Sequence, residues 1–218
     1  VIKEYFDQNL SYTKEELLDE NGKNVMMEWE RPIMKKAAFD LCSQGGDILN
    51  VGFGMGIIDN YIQSYPIKTH SIIEAHPDVQ SKMIEDGWDK KPNVILIFSK
   101  WQDVIHYLPK FDGIYFDTWE DDQIPFDKMV PNLLKPQGKY SFFNNPTSHS
   151  EEYNYPYTPL QKYLQSPIPE HYIKGPRRPE LFKQFNIDFH PIQVDPPKEN
   201  GYFNPAKKTY WHPIFTFK

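Results

Sequence analysis

The chain has 218 residues, a net charge of −6 and a pI of about 5.6. That length fits one α/β domain with extra terminal segments, whose core needs neither a disulfide nor a metal. The acidic balance lacks the basic face expected of a nucleic-acid binder. No apolar run approaches the roughly 20 residues of a membrane span, and a lone Cys42 forms no intrachain disulfide and fits a cytoplasmic setting.

Val1-Ile2-Lys3-Glu4-Tyr5 lacks the basic and apolar regions of a secretory signal. Residues 1–24 are polar with scattered aromatics and read as a lid segment. Within them, Thr13-Lys14-Glu15-Glu16 has capping-box spacing and predicts a helix start. Residues 26–41 predict a helix with Pro32 in its first turn and Ile33, Met34, Ala37, Ala38 and Leu41 on one face. Gln44-Gly45-Gly46 closes it. Short apolar runs at 47–51, 71–74, 94–98, 111–117 and 140–143 predict strands. Helices are expected between them, reaching about 64, and over 78–87, 101–108 and 126–134, with a turn at 135–138. Five such alternations predict an α/β fold with a doubly wound, mostly parallel sheet of Rossmann-like type. Beyond 144 the rhythm breaks into Pro, Tyr and Asn. Runs at 189–194 and 210–217 predict an antiparallel strand pair on the sheet edge.

The first strand runs into Gly52-Phe53-Gly54-Met55-Gly56-Ile57, where glycines let a ligand approach the main chain. A dinucleotide site spaces its glycines as G-x-G-x-x-G, whereas this chain has Gly56 at the fifth position and Ile57 at the sixth. Glu74 ends the second strand, where a carboxylate accepts ribose hydroxyls. Trp101 follows the third strand and reads equally as an adenine stack or as a core residue, with Gln102 or Asp103 in reach of the adenine amine. Together these features favour S-adenosylmethionine over a nicotinamide dinucleotide, which would make the chain an oxidoreductase. Asp117 ends the fourth strand beside the loop, so Phe116-Asp117-Thr118-Trp119 should face the transferring group. A second carboxylate comes from Met27-Glu28-Trp29-Glu30-Arg31-Pro32, and spacing does not choose between Glu28 and Glu30. The seven histidines are scattered, no metal-ligand spacing exists, and no metal is expected.

Val25-Met26-Met27-Glu28-Trp29-Glu30-Arg31-Pro32-Ile33-Met34, the 51–57 loop, Ile72-Ile73-Glu74-Ala75-His76-Pro77, Trp101-Gln102-Asp103-Val104 and Phe111-Asp112-Gly113-Ile114-Tyr115-Phe116-Asp117-Thr118 resemble the guanidinoacetate N-methyltransferases. They look equally like the fungal-type protein arginine delta-N-methyltransferases of the same class I superfamily. The resemblance implies a methyltransferase domain over 25–218 and S-adenosylmethionine as cofactor. It implies a cofactor pocket lined by Tyr5, Phe6, Met34, Gly52, Phe53, Gly54, Met55, Gly56, Ile57, Glu74, Ala75, His76, Trp101, Gln102 and Asp117. Glu30 and Asp117 should bind the guanidinium, with Asn144, Asn145, Thr147 and Ser148 closing the acceptor pocket. The acceptor it implies first is guanidinoacetate or a similar small guanidino compound. An arginine side chain of a protein is the alternative. A monomer or homodimer, with no nucleic acid or membrane partner, is expected.

The chemistry explains the pair of acids. A guanidinium titrates above about 12 and is a poor nucleophile at neutral pH. Two carboxylates hold the planar cation by paired N–H···O bonds and localise its charge. One of them accepts the proton as the N–C bond forms. Asp117 is expected to be that acceptor, and Glu30 to orient.

Overall fold

In the computed structural model, residues 4–119, 123–144, 184–201, 203, 205 and 208–218 are described. Strands β1 (Ser11–Tyr12), β2 (Glu16–Leu18) and β3 (Asn24–Met27) form a small antiparallel sheet. The helix expected from Thr13 is therefore absent. Thr13 Oγ1 accepts the N–H groups of Glu15 and Glu16 at 3.1 and 3.0 Å and closes a turn between strands. A hydroxyl offers these bonds to a turn as readily as to a helix end. Leu17 alone of its strand is buried, as a period of two dictates.

Strand β3 consumes the start of the segment predicted as helix. A 3₁₀ turn at Glu28–Glu30 follows, and α1 runs over Arg31–Cys42 with Pro32 in its first turn. Ile33, Met34, Ala37, Ala38 and Leu41 each expose 3 % or less, so the apolar face predicted for the helix is the one that packs.

The remaining elements alternate as expected: β4 (Gly46–Val51), α2 (Ile57–Ile62), β5 (Ile67–Glu74), α3 (Pro77–Glu85), β6 (Val94–Phe98), α4 (Trp101–Val104), β7 (Phe111–Phe116), α5 (Gln123–Leu133), β8 (Leu134–Phe142), β9 (Phe185–Gln193) and β10 (Thr209–Phe217). The seven-stranded sheet has the order β6-β5-β4-β7-β8-β10-β9. Strands β4 to β8 pair in parallel, and β10 pairs antiparallel with both β8 and β9. The predicted edge hairpin is thus present. The turn predicted at 135–138 lies instead inside β8. Phe111 pairs with Leu134 and Gly113 with Lys139, so between these pairs one residue of β7 lies opposite four of β8. Pro136 has no N–H for the ladder, and the excess bulges out there.

Alternation along the central strands divides the core. Leu49, Val51, Ile114 and Phe116 face α4 and α5, while Ile48 and Tyr115 face α1 and α2. The chain winds outward from β4 to β6 and then returns to place β7 on the other flank of β4. The C-terminal ends of β4 and β7 are therefore the switch point at which open α/β sheets bind ligands.

Under α5, Tyr140 donates to Asp127 Oδ1 at 2.6 Å, with both residues at 2 % exposure or less. Tyr140→Phe removes that donor and should cost about 1–3 kcal/mol, a fall of roughly 2–12 °C in melting temperature. Thermal denaturation checks this, and an unchanged midpoint contradicts it.

Candidate active site

Val51 of β4 pairs with Phe116 of β7, so Gly52 and Asp117 leave the sheet side by side. The Asp117 N–H donates to Val51 O at 2.9 Å, and the Gly52 N–H donates to Ile73 O at 2.9 Å. Gly52 has φ 92°, and a Cβ there would lie 1.9 Å from Asp117 O. Only glycine permits that approach. Gly54 has φ 55°, and a Cβ on it would lie 2.7 Å from Met26 Sδ. The turn is tied from beneath. Asn50 Nδ2 donates to Gly52 O at 2.9 Å and to both Asp59 oxygens at 2.8 and 3.0 Å. His70 Nε2 lies 3.0 Å from Asp59 Oδ1, and Gln63 Nε2 lies 3.0 Å from His70 Nδ1.

Glu74 ends β5 at 8 % exposure. Its Oε2 accepts the Phe53 N–H at 2.8 Å and its Oε1 the His76 N–H at 2.7 Å. Burial pushes its pKa upward, and the backbone N–H groups of His76, Phe53, Ala75 and Gly54 oppose that push. The carboxylate lines an open cavity whose empty space, solvent at the mouth included, is about 800 Å³.

Of the residues expected to line a cofactor pocket, Tyr5, Phe6, Gly52, Phe53, Gly54, Glu74, Ala75, Trp101, Gln102 and Asp117 line this cavity. Met34, Met55, Gly56, Ile57 and His76 are not in its wall. Met34 and Ile57 are buried in the core between the sheet and its helices α1 and α2. Trp101 meets both descriptions given to it: it lines the cavity, and its edge packs on Phe126 with ring centroids 5.3 Å apart at 89°. His76 works from behind the wall. Its Nδ1 accepts the Asp78 N–H at 3.1 Å, capping α3, so its Nε2 carries the proton and donates to Tyr5 O at 3.1 Å. Tyr5 and His76 also pack ring to ring, with centroids 4.8 Å apart.

Sequence reasoning missed Val25, Met26 and Val79 in the lining, and missed the anchors of the N-terminal segment. Leu10 N–H donates to Asp78 Oδ2 at 2.8 Å, Tyr12 OH to Gly54 O at 3.1 Å, and Met55 N–H to Met26 Sδ at 3.2 Å. These contacts span 29 to 68 residues, and no local pattern marks them.

At the other end of the cavity stand Asp117, Thr118 and Trp119. Asp117 keeps part of its surface open to the cavity, but burial and then the charge of Asp59 push its carboxyl up to about 7. Thr118 Oγ1 is buried with no partner among the described residues. Glu30, at 3 % exposure, lies just outside the lining and accepts the Met27 N–H at 2.8 Å through Oε1. Burial raises the pKa of the Tyr115 phenol, and Tyr210, Asp117 and Glu30 add to that rise. Spacing left Glu28 and Glu30 open. Glu28 is half-buried and paired with Arg31 at 2.5 Å, and Glu30 is the one turned inward. Asn144 donates through its N–H to Tyr210 OH at 2.6 Å and through Nδ2 to Trp211 O at 3.1 Å. Asn145, Thr147 and Ser148 lie outside the described residues.

A family profile described as guanidinoacetate N-methyltransferase matches residues 3–212. The chain belongs to that family. It is similar to the protein arginine N-methyltransferase 2 of Aspergillus fumigatus, 34 % identical over 217 residues, covering 95 % of this chain and 47 % of that protein. It is also similar to the protein of that name from Candida glabrata, 47 % identical over 153 residues, covering 64 % of this chain and 37 % of the relative. The chain thus spans less than half the length of these relatives. Among solved structures it resembles the TYW2 protein of M. jannaschii in complex with AdoMet, with TM-score 0.55, 16 % identity and coverage of 100 % and 89 %. The spermidine synthase of Thermotoga maritima gives TM-score 0.59 and 11 % identity, with coverage of 96 % and 72 %. At such identity these two share the fold. Members of the guanidinoacetate N-methyltransferase family use S-adenosylmethionine, and the residues here fit it. Glu74 offers carboxylate oxygens suited to ribose hydroxyls, the glycine turn leaves room at the main chain, and Thr118, whose buried Oγ1 has no partner among the described residues, also lines the cavity.

Gly52→Ala drives a Cβ into the Asp117 carbonyl and should weaken S-adenosylmethionine binding by on the order of a hundredfold. Calorimetric titration checks it; wild-type affinity in the variant would remove the loop from the cofactor site.

Proposed function

We propose that this chain transfers the methyl group of S-adenosylmethionine to a guanidino nitrogen of an arginine side chain in a protein. The observation that carries the reading is Asp117, a carboxyl raised to about 7 in the wall of the cavity where β7 ends, with Glu30 buried at the turn into α1. A carboxyl held partly uncharged in the wall of the cavity favours a cation beside it, and a guanidinium answers two carboxylates with paired N–H bonds. The choice of arginine rests on the relatives, which are named for it. Guanidinoacetate stands as the second reading, because the family description names it.

When bound, the cofactor supplies an electrophilic methyl on a sulfonium. The chain's own residues do the rest. Glu74 takes the ribose. Trp101, Phe53 and Tyr5 enclose the cavity and keep water from it. Glu30 is fixed by its bond from Met27 N–H and orients the guanidinium. Asp117 takes the proton that the attacking nitrogen loses as its bond to carbon forms.

The raised Asp117 gives a signed prediction. Without an acceptor the group is largely protonated below about 7, and a cation beside it restores the anion. Acceptor binding should therefore release close to one proton at pH 6 and much less at pH 8. Affinity should rise with pH across that window. Titration calorimetry in buffers of different ionisation enthalpy measures the release, and none at pH 6 would remove Asp117 from the acceptor site. Asp117→Asn should lower kcat by about 10²–10⁴ while cofactor affinity stays within a few-fold.

The test of the reading itself is methyl-labelled S-adenosylmethionine offered with an arginine-containing protein extract, free arginine and guanidinoacetate in separate reactions. Label in protein arginine supports the proposal. Label in guanidinoacetate alone replaces it with the second reading, and label in neither defeats both.

A further inference from the structure

Three tyrosines are fully buried among the described residues: Tyr115, Tyr140 and Tyr210. Two of them have hydrogen-bond partners. Tyr140 donates to Asp127 Oδ1 at 2.6 Å, and the Tyr210 oxygen accepts the Asn144 N–H at 2.6 Å. The Tyr115 hydroxyl is buried and has no partner among the described residues. Phenylalanine would fill the same volume without an unsatisfied group, so packing gives no reason for the oxygen.

The surroundings of that oxygen supply one. Tyr115 and Asp117 are two residues apart at the end of β7, so their side chains leave the sheet on the same face. Glu30 precedes α1, which packs on that face, and Tyr210 comes from β10. The charged and polar groups that weigh on the phenol are Tyr210, Asp117, Glu30 and Tyr140, in that order. The buried, unpartnered hydroxyl therefore leaves β7 on the face that Asp117 shares, with Glu30 at the start of the helix packed there. A phenol carries one donor and two acceptor positions, a carboxylate only accepts, and a guanidinium only donates. A guanidinium held at these acids has no lone pair to offer a phenol, so the Tyr115 hydroxyl gives its proton to a carboxylate, and Asp117 follows it by two residues on the same face.

We propose that Tyr115 is a positioning residue for methyl transfer: with an acceptor bound, its hydroxyl donates to the Asp117 carboxylate and aims it at the attacking nitrogen. The inference rests on the guanidino reading given above. It assigns no contact between Tyr115 and the acceptor or the cofactor, and Tyr115 is absent from the cavity lining.

Tyr115→Phe tests it with three readouts. The melting temperature should stay level or rise, since an unsatisfied buried hydroxyl is removed. The Kd for S-adenosylmethionine should be unchanged. The kcat for the guanidino acceptor should fall on the order of tenfold, with kcat/KM falling in step, as for an interaction completed only in the transition state. Wild-type kcat in the variant overturns the proposal, and so does a loss of activity matched by a loss of cofactor affinity or of melting temperature. Tyr140→Phe serves as the control: it should lose stability and keep kcat. If the wild-type protein labels neither protein arginine nor guanidinoacetate, the guanidino reading has failed and this inference falls with it. If the wild type labels one of them and the variant is as fast, only this inference has failed.

Discussion

A single backbone hydrogen bond, from Asp117 N–H to Val51 O at 2.9 Å, continues the β4–β7 ladder one step past its last paired residues. It makes the chain leave both strands at the same height. Gly52, without a side chain, then passes close to the Asp117 carbonyl, and the glycine loop and Asp117 share one wall of the cavity. Parallel pairing in this register is what brings the loop and Asp117 together, and the crossover that returns the chain beside β4 is what makes β7 the strand that does it. The rest of the site hangs from that junction: Glu74 from the next strand over, Glu30 from the turn that leads into α1.

Three buried acids at this end of the sheet are treated differently, and the difference sorts their tasks. Asp59 is met by Asn50 and by His70, and it holds the loop to α2. Glu74 is met by backbone N–H groups from Phe53 and His76, which leaves acceptor capacity toward the cavity. Burial and then the negative charge of Asp59 act on Asp117, and its pKa climbs to about 7.

The fold was largely legible in the sequence, because a buried parallel strand needs a short apolar run and β4 to β7 are such runs. The N-terminal hairpin was not, since Thr13 presents the same hydroxyl to a strand turn as to a helix cap. Among site residues, Glu74, Trp101 and Asp117 were readable because each follows directly from the end of a strand. Spacing did not separate Glu28 from Glu30, although the resemblance named Glu30; in three dimensions one pairs with Arg31 and the other closes on Met27. Met34 shows the opposite failure: helical spacing places it on the packed face of α1, and that face meets the core and not the cavity. The ties from Leu10, Tyr12 and Met26 to the loop and to α3 join segments far apart in the chain, where sequence pattern carries no signal.

The most direct test of this account is a crystal structure of the protein with S-adenosylhomocysteine and an arginine-containing peptide. The account predicts the guanidinium held between the Glu30 and Asp117 carboxylates, with one nitrogen facing the thioether sulfur across the space a methyl group would fill. A guanidinium bound elsewhere, or a thioether directed away from Asp117, would contradict it.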